Sequence, residues 1–178
     1  MIYPAPFLSK LELCSPKPKN GAGFTLVELL LYMGILSLFL LVQTQIFTSV
    51  LGVRLESEAN SQVSQDSRFI MARLIYDINR AENIAVPATP SAVTDSLELI
   101  IDGTSNIYSL SAGNLLITNS QGSDNLNSFG TRISNLSFKK LGNVGGKNTV
   151  TISLTLTSVT QREAGPETRT VQTTSGLR

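Results

Sequence analysis

Glu28 is a carboxylate set inside an otherwise almost wholly apolar stretch, Phe24 to Val42, which reads FTLVELLLYMGILSLFLLV. A buried charge there is costly: about 2.5–3.5 kcal/mol for an Asp near the centre of a membrane helix, and less near an interface. Such a group asks for a cationic partner or for a place close to water. The chain has no histidine, which removes the commonest general base, the commonest metal ligand and every Ser/His or Cys/His arrangement. Catalysis would have to rest on carboxylates or lysines alone, and no convincing pair of acids stands out. The chain therefore reads as non-enzymatic, with no cofactor and no metal. Asp102-Gly103 and Ser123-Asp124-Asn125 supply oxygens of the kind calcium takes. Their spacing matches no EF-hand, and Asx-Gly is first of all a turn. Lys139 and Lys140 with Arg132 make a small basic cluster, read as a solvated strand end rather than a nucleic-acid patch. A formal net charge of +1 gives no electrostatic reason to expect nucleic acid.

These residues need elements to position them, and the chain falls into three chemical segments. Residues 1–23 form a polar to mixed leader with Lys10, Lys17 and Lys19 against one acid, Glu12, and four prolines that oppose helix. Its cysteine, Cys14, is the only one in the chain, so no internal disulfide forms. The apolar run of 19 residues follows, and at ~1.5 Å per residue it just crosses a ~30 Å hydrocarbon core. Lysines ahead of it predict a cytoplasmic N-terminus and an exported remainder. A cleaved secretory signal would have a shorter apolar core and a small-residue site after it, and neither is present here. An uncleaved signal anchor is the plainer alternative. On this reading residues 24–53 are the membrane and assembly half of a helix, and 54–178 an exported domain.

Helical periodicity outlasts the apolar run. Val63, Ile70, Leu74, Ile78 and Ala81 recur at spacings of seven, four, four and three, one face of a helix. Arg54, Glu56, Glu58, Asp66, Arg68, Arg73, Asp77 and Arg80 read as its solvated remainder. No proline interrupts Phe24 to Val86, and Pro87 and Pro90 then stop the pattern. A helix from Phe24 to Arg80 would hold 57 residues and run about 85 Å, apolar all round in its first half and amphipathic in its second. The rest reads as strand: Ser96–Ile101 and Ser105–Leu110 about the Asp102-Gly103 turn, then Asn114–Thr118, Arg132–Leu141 and Thr149–Thr157. In the last of these Val150, Ile152, Leu154 and Leu156 share one side and the threonines the other. Asn119–Gly130, Asn143–Asn148 and Gln161–Glu167 read as loops or turns. The fold class is α+β, with the amphipathic half-helix, ending at about 81–85, covering one face of an antiparallel sheet.

Gly23-Phe24-Thr25-Leu26-Val27-Glu28-Leu29-Leu30, followed at once by a membrane-length apolar run, strongly resembles the processing site of type IV pilins and pseudopilins. Ser67 to Ala81 and the order of short strands resemble minor pilins and J-type minor pseudopilins. The resemblance implies a ladle-shaped fold. It implies that prepilin peptidase, a membrane enzyme, cuts between Gly23 and Phe24 and methylates the new amine of Phe24. Gly23, with Gly21 and Ala22, supplies little side-chain bulk at that bond. It also implies that Phe24 and Glu28 serve subunit assembly, a neighbour's Phe24 amine pairing with Glu28 and fixing axial register as a lone polar residue does in a coiled coil. The implied partners are other pilins or pseudopilins and an inner-membrane assembly platform. The implied place is the cytoplasmic membrane, crossed once, and then a pilus or pseudopilus. Three features depart from the pattern: a 23-residue leader with Ala22 before the glycine, no helix-kinking proline, and no cysteine pair in the mature chain. The last two favour a minor subunit over an abundant shaft subunit. A membrane-anchored adhesin or ligand-binding module is the rival of a different class.

Overall fold

The computed structural model describes residues 23–142, 146–162 and 164–178. The leader up to Ala22, with its lysines and Cys14, and part of the loop expected at 143–148 lie outside the described residues. The chain divides into two compact units, one reaching Thr44 and the other Gln45–Arg178. A single helix, α1, spans Leu26–Arg80, two residues shorter at its start than the periodicity suggests. It passes through Gly34 and Gly52 without interruption, and a side chain at either would meet nothing within 4 Å.

In the first unit the helix buries no residue fully, and its apolar side chains from Leu26 to Val42 stand open. In the second unit Ala59, Val63, Ser67, Ile70, Met71, Leu74, Asp77 and Ile78 form a buried stripe along α1. That stripe contains the expected Val63, Ile70, Leu74 and Ile78, with Ala81 buried just beyond the helix.

The stripe is covered by two antiparallel sheets where the sequence suggests one. The first has five strands: β1 (Asn83–Val86), β3 (Leu97–Ile101), β4 (Thr104–Ser111), β5 (Asn114–Asn119) and β6 (Gly122–Asn125), adjacent in that order. The second has four, β2 (Val93–Thr94), β7 (Thr131–Leu141), β8 (Thr149–Ser158) and β9 (Thr168–Gly176), again in that order. The turn between β3 and β4 has positive φ at both central residues, 50° at Asp102 and 71° at Gly103, the requirement of a tight hairpin with matching twist. On β8 the alternation holds throughout: Val150, Ile152, Leu154 and Leu156 are wholly buried in one core with Leu97, Leu99, Tyr108 and the helix stripe. Each such aliphatic side chain contributes about 1.5–3 kcal/mol by leaving water.

β7 explains a pattern that period two alone cannot. Ile133, Leu136 and Phe138 are all buried although Ile133 and Leu136 differ in parity. A bulge between Ile133 and Asn135 places one extra residue against β8 and exchanges the faces beyond it. The same exchange turns Lys140 inward while Lys139 stays out. Lys140 is therefore buried, not part of a solvated strand end, and its Nζ donates to the carbonyls of Ala88 (3.0 Å) and Ile84 (3.2 Å).

Four strands lie where the sequence shows no strand, two of them β1 and β2, on either side of Pro87 and Pro90. β6 falls inside Asn119–Gly130, and β9 has only Val171 to mark an apolar side. Two acids of α1 also leave the solvated face assigned to them. Asp66 accepts hydrogen bonds from the amide (2.9 Å) and hydroxyl (2.7 Å) of Ser128 and from the Thr131 hydroxyl, so it anchors the turn that enters β7. Asp77 is buried and one of its oxygens accepts from both Arg73 Nε (2.7 Å) and the Tyr108 hydroxyl. Burial first, then the bond to Asp77, pushes the Tyr108 hydroxyl well above the usual phenol range.

Tyr108→Phe leaves Asp77 with Arg73 alone and should cost about 1–2 kcal/mol at neutral pH. An unfolded chain loses the Tyr108 proton near pH 10 while the folded chain retains it, so this stabilisation is full below about pH 10 and declines as pH rises further. Urea unfolding of both chains, followed by circular dichroism from about pH 8 to about pH 11, should show the gap narrowing at the alkaline end.

Candidate processing and assembly site

The N-terminus of α1 is set by Thr25. Its hydroxyl accepts a hydrogen bond from the Glu28 amide (3.2 Å), and its carbonyl accepts from the Leu29 amide (3.1 Å). Thr25 is thus the N-cap and Glu28 the third helical residue, the Thr-x-x-Glu spacing of a capping box. One of the four unpaired amides of the first turn is satisfied this way. The capping-box spacing was visible in the sequence and identifies Thr25 as a residue that positions the site.

Glu28 lies in the first turn, where the helix dipole favours a negative charge by about 0.3–1 kcal/mol. Its Oε1 accepts a hydrogen bond from the Tyr32 hydroxyl, one turn on, at 3.0 Å. The Tyr32 ring in turn meets the Phe24 ring edge to face, with centroids 6.2 Å apart and planes at 79°. Phe24, Glu28 and Tyr32 therefore form one connected patch. Tyr32, one turn beyond Glu28, holds the carboxylate. Glu28 is the only residue from Gly23 to Thr44 that is not openly exposed. Its second carboxylate oxygen accepts nothing among the described residues. Gly23 stands next to this patch with nothing within 4 Å of where a side chain would lie, so no described neighbour crowds the bond to Phe24.

The other candidate residues do not converge. Asp102 pairs with Arg80 (2.8 Å) at the helix end, and Asp124 is on the exposed strand β6. Arg132 donates to Asn114 (3.1 Å) rather than standing beside Lys140, whose ammonium points into the core.

Residues 18–42 match the model of the prokaryotic N-terminal methylation motif, the signature of type IV pilins and pseudopilins. Neither a curated protein nor a solved structure matches the chain significantly. In type IV pilins and pseudopilins this motif is the site that prepilin peptidase processes, and that family is structural. α1 is long and apolar enough to cross a membrane, which fits single-pass anchoring.

Replacing Thr25 with alanine should loosen the first turn by about 1 kcal/mol and speed hydrogen exchange at the Glu28 amide about fivefold. Thr25→Ser should restore the wild-type rate. Amide exchange followed by NMR on the chain in detergent micelles reads both.

Proposed function

We propose that this chain is a minor structural subunit of a type IV pilus or of a secretion pseudopilus. Residues 1–23 are its leader, 24–53 its membrane and assembly segment, and 54–178 its exported domain. Prepilin peptidase cuts after Gly23 and methylates the amine released on Phe24. The methylation-motif match over residues 18–42, with Glu28 linked through Tyr32 to Phe24 on an otherwise apolar helix, is the observation that carries this reading.

Before assembly that carboxylate sits in the lipid near the cytoplasmic face, where Tyr32 offsets part of its cost through one hydrogen bond. Cutting at Gly23 leaves a cation on Phe24 one turn away along the helix. When helices of adjacent subunits stack with an axial offset, the amine of one reaches the carboxylate of the next, and two groups that are costly alone neutralise each other. An offset that fails to align them leaves both charges unpaired in an apolar setting, so the pair sets the register of packing. The rest of the segment contributes contact area without direction, because lipid tails are as apolar as its own side chains.

An inner-membrane platform supplies the direction of assembly. The absence of a helix-kinking proline between Phe24 and Val86, and of cysteines after Cys14, supports a minor rather than a shaft subunit. Dependence of export on the chain would assign it to a secretion pseudopilus, and loss of piliation would assign it to a pilus.

Intact mass and N-terminal sequencing of the chain from its native membranes test the reading. The expected product begins at Phe24 and carries one additional methyl group; a chain that keeps its leader overturns the proposal. Glu28→Gln should leave cleavage intact and lower incorporation into sheared filaments at least about tenfold, since one unpaired charge of about 1.4 kcal/mol or more is enough. Full incorporation of that variant would sink the pairing role.

A further inference from the structure

Glu28 occupies the position from which a capping-box carboxylate ordinarily turns back to the amide of the N-cap residue. Only half of that box is closed here. The Glu28 amide donates to the Thr25 hydroxyl (3.2 Å), but the Thr25 amide returns no bond to the carboxylate. Oε1 of Glu28 accepts from the Tyr32 hydroxyl instead, at 3.0 Å. A long side chain in a helix leans toward the N-terminus, so Tyr32 reaches back one turn to Glu28. The Phe24 ring, packed edge to face on that of Tyr32, supports the tyrosine in this pose. From Leu26 to Val42 the only other side-chain donor is Ser37, whose hydroxyl donates to the Gly34 carbonyl (2.8 Å).

The direction of the carboxylate matters because of what lies at the other end of the open box. Phe24 immediately precedes Thr25, so an amine released on Phe24 stands beside the Thr25 amide. A carboxylate turned back to close the box would meet the amine of its own chain. That intrachain pair needs no neighbour, since a few residues of one helix end give the two groups a high effective concentration. It would neutralise both groups that subunit pairing requires and would fix no register.

We propose that the Tyr32 hydroxyl withholds Glu28 from the amine end of its own chain and so reserves the second carboxylate oxygen for a neighbour's amine. Tyr32 is then a positioning residue that acts through Glu28, a role that rests on the subunit pairing proposed above.

Amide exchange followed by NMR on the full chain in detergent micelles reads the direction of Glu28 without any cleavage or assembly. Tyr32→Phe keeps the ring against Phe24 and removes only the hydroxyl. Glu28 can then close the box, and exchange at the Thr25 amide should slow about fivefold, as one net hydrogen bond allows. In a Glu28→Ala background the same change should leave Thr25 exchange unaltered, because there is no carboxylate to release. In the native host, Tyr32→Phe chains should be processed like wild type and enter sheared filaments about three- to tenfold less. Thr25 exchange that is indifferent to the hydroxyl, or that responds equally without Glu28, overturns the positioning role. Undiminished filament entry of processed Tyr32→Phe chains also overturns it, while leaving the Glu28 pairing intact. A wild-type chain that keeps its leader removes the pairing itself and with it the reason to reserve Glu28; intact mass distinguishes that failure before the variants are compared.

Discussion

A helix that is apolar on every side for its first thirty or so residues has no stable place in water, and one chain of this size cannot cover it. From Leu26 to Val53 the large apolar side chains of α1 are all exposed. Lipid satisfies them without selectivity, and so do other helices of the same kind. What distinguishes one arrangement from another is the small number of polar atoms in that surface. Thr25 closes the first turn, and Glu28 provides a single charged acceptor just inside it. The cap and the carboxylate are linked by the helix geometry itself, because the amide that Thr25 accepts from belongs to Glu28.

In the second unit the same helix meets the opposite problem. Its buried stripe lies under two sheets, and three ionisable side chains enter that interior or its margin. Each is met by specific partners: Asp66 by two hydroxyls and an amide, Asp77 by Arg73 and Tyr108, and Lys140 by two carbonyls. Removing the partners of Asp77 or Lys140 leaves a buried charge unsatisfied, which costs more than a single hydrogen bond contributes. The Asp66 and Asp77 contacts join α1 to the start of β7 and to β4, and Lys140 joins β7 to β1, so together they tie the two sheets to one helix and to each other. Apolar packing supplies most of the stabilisation, and the polar contacts select the arrangement.

Several elements were legible because local chemistry and final environment agree. The helix end near Arg80, the Asp102-Gly103 hairpin and the inward side of β8 are of this kind. β9 was not legible: its residues are nearly all polar, so burial leaves no alternation, and pairing with β8 alone makes it a strand. Asp77 and Lys140 misled for a related reason. A charged residue reads as solvated unless its distant partners are known, and these are Tyr108, 31 residues from Asp77, and two carbonyls 52 and 56 residues from Lys140. Lys140 also depended on the bulge, which no composition announces. At the N-terminus the capping spacing was readable, while the Tyr32 contact to Glu28 needed the helix to be built first.

The sequence by itself determined the apolar segment, the isolated carboxylate five residues into it, the long helix and the α+β class. Periodicity, charge placement and proline-free length are properties of neighbours along the chain, and they act before any tertiary contact exists. Tertiary structure alone decided that the strands divide into two sheets, that β7 changes face at its bulge, and that Asp66, Asp77 and Lys140 are held rather than solvated. It also decided that β9 is an edge of its sheet. Each of these turns on which distant segment supplies the other half of a hydrogen bond, and that is settled only when the chain closes on itself.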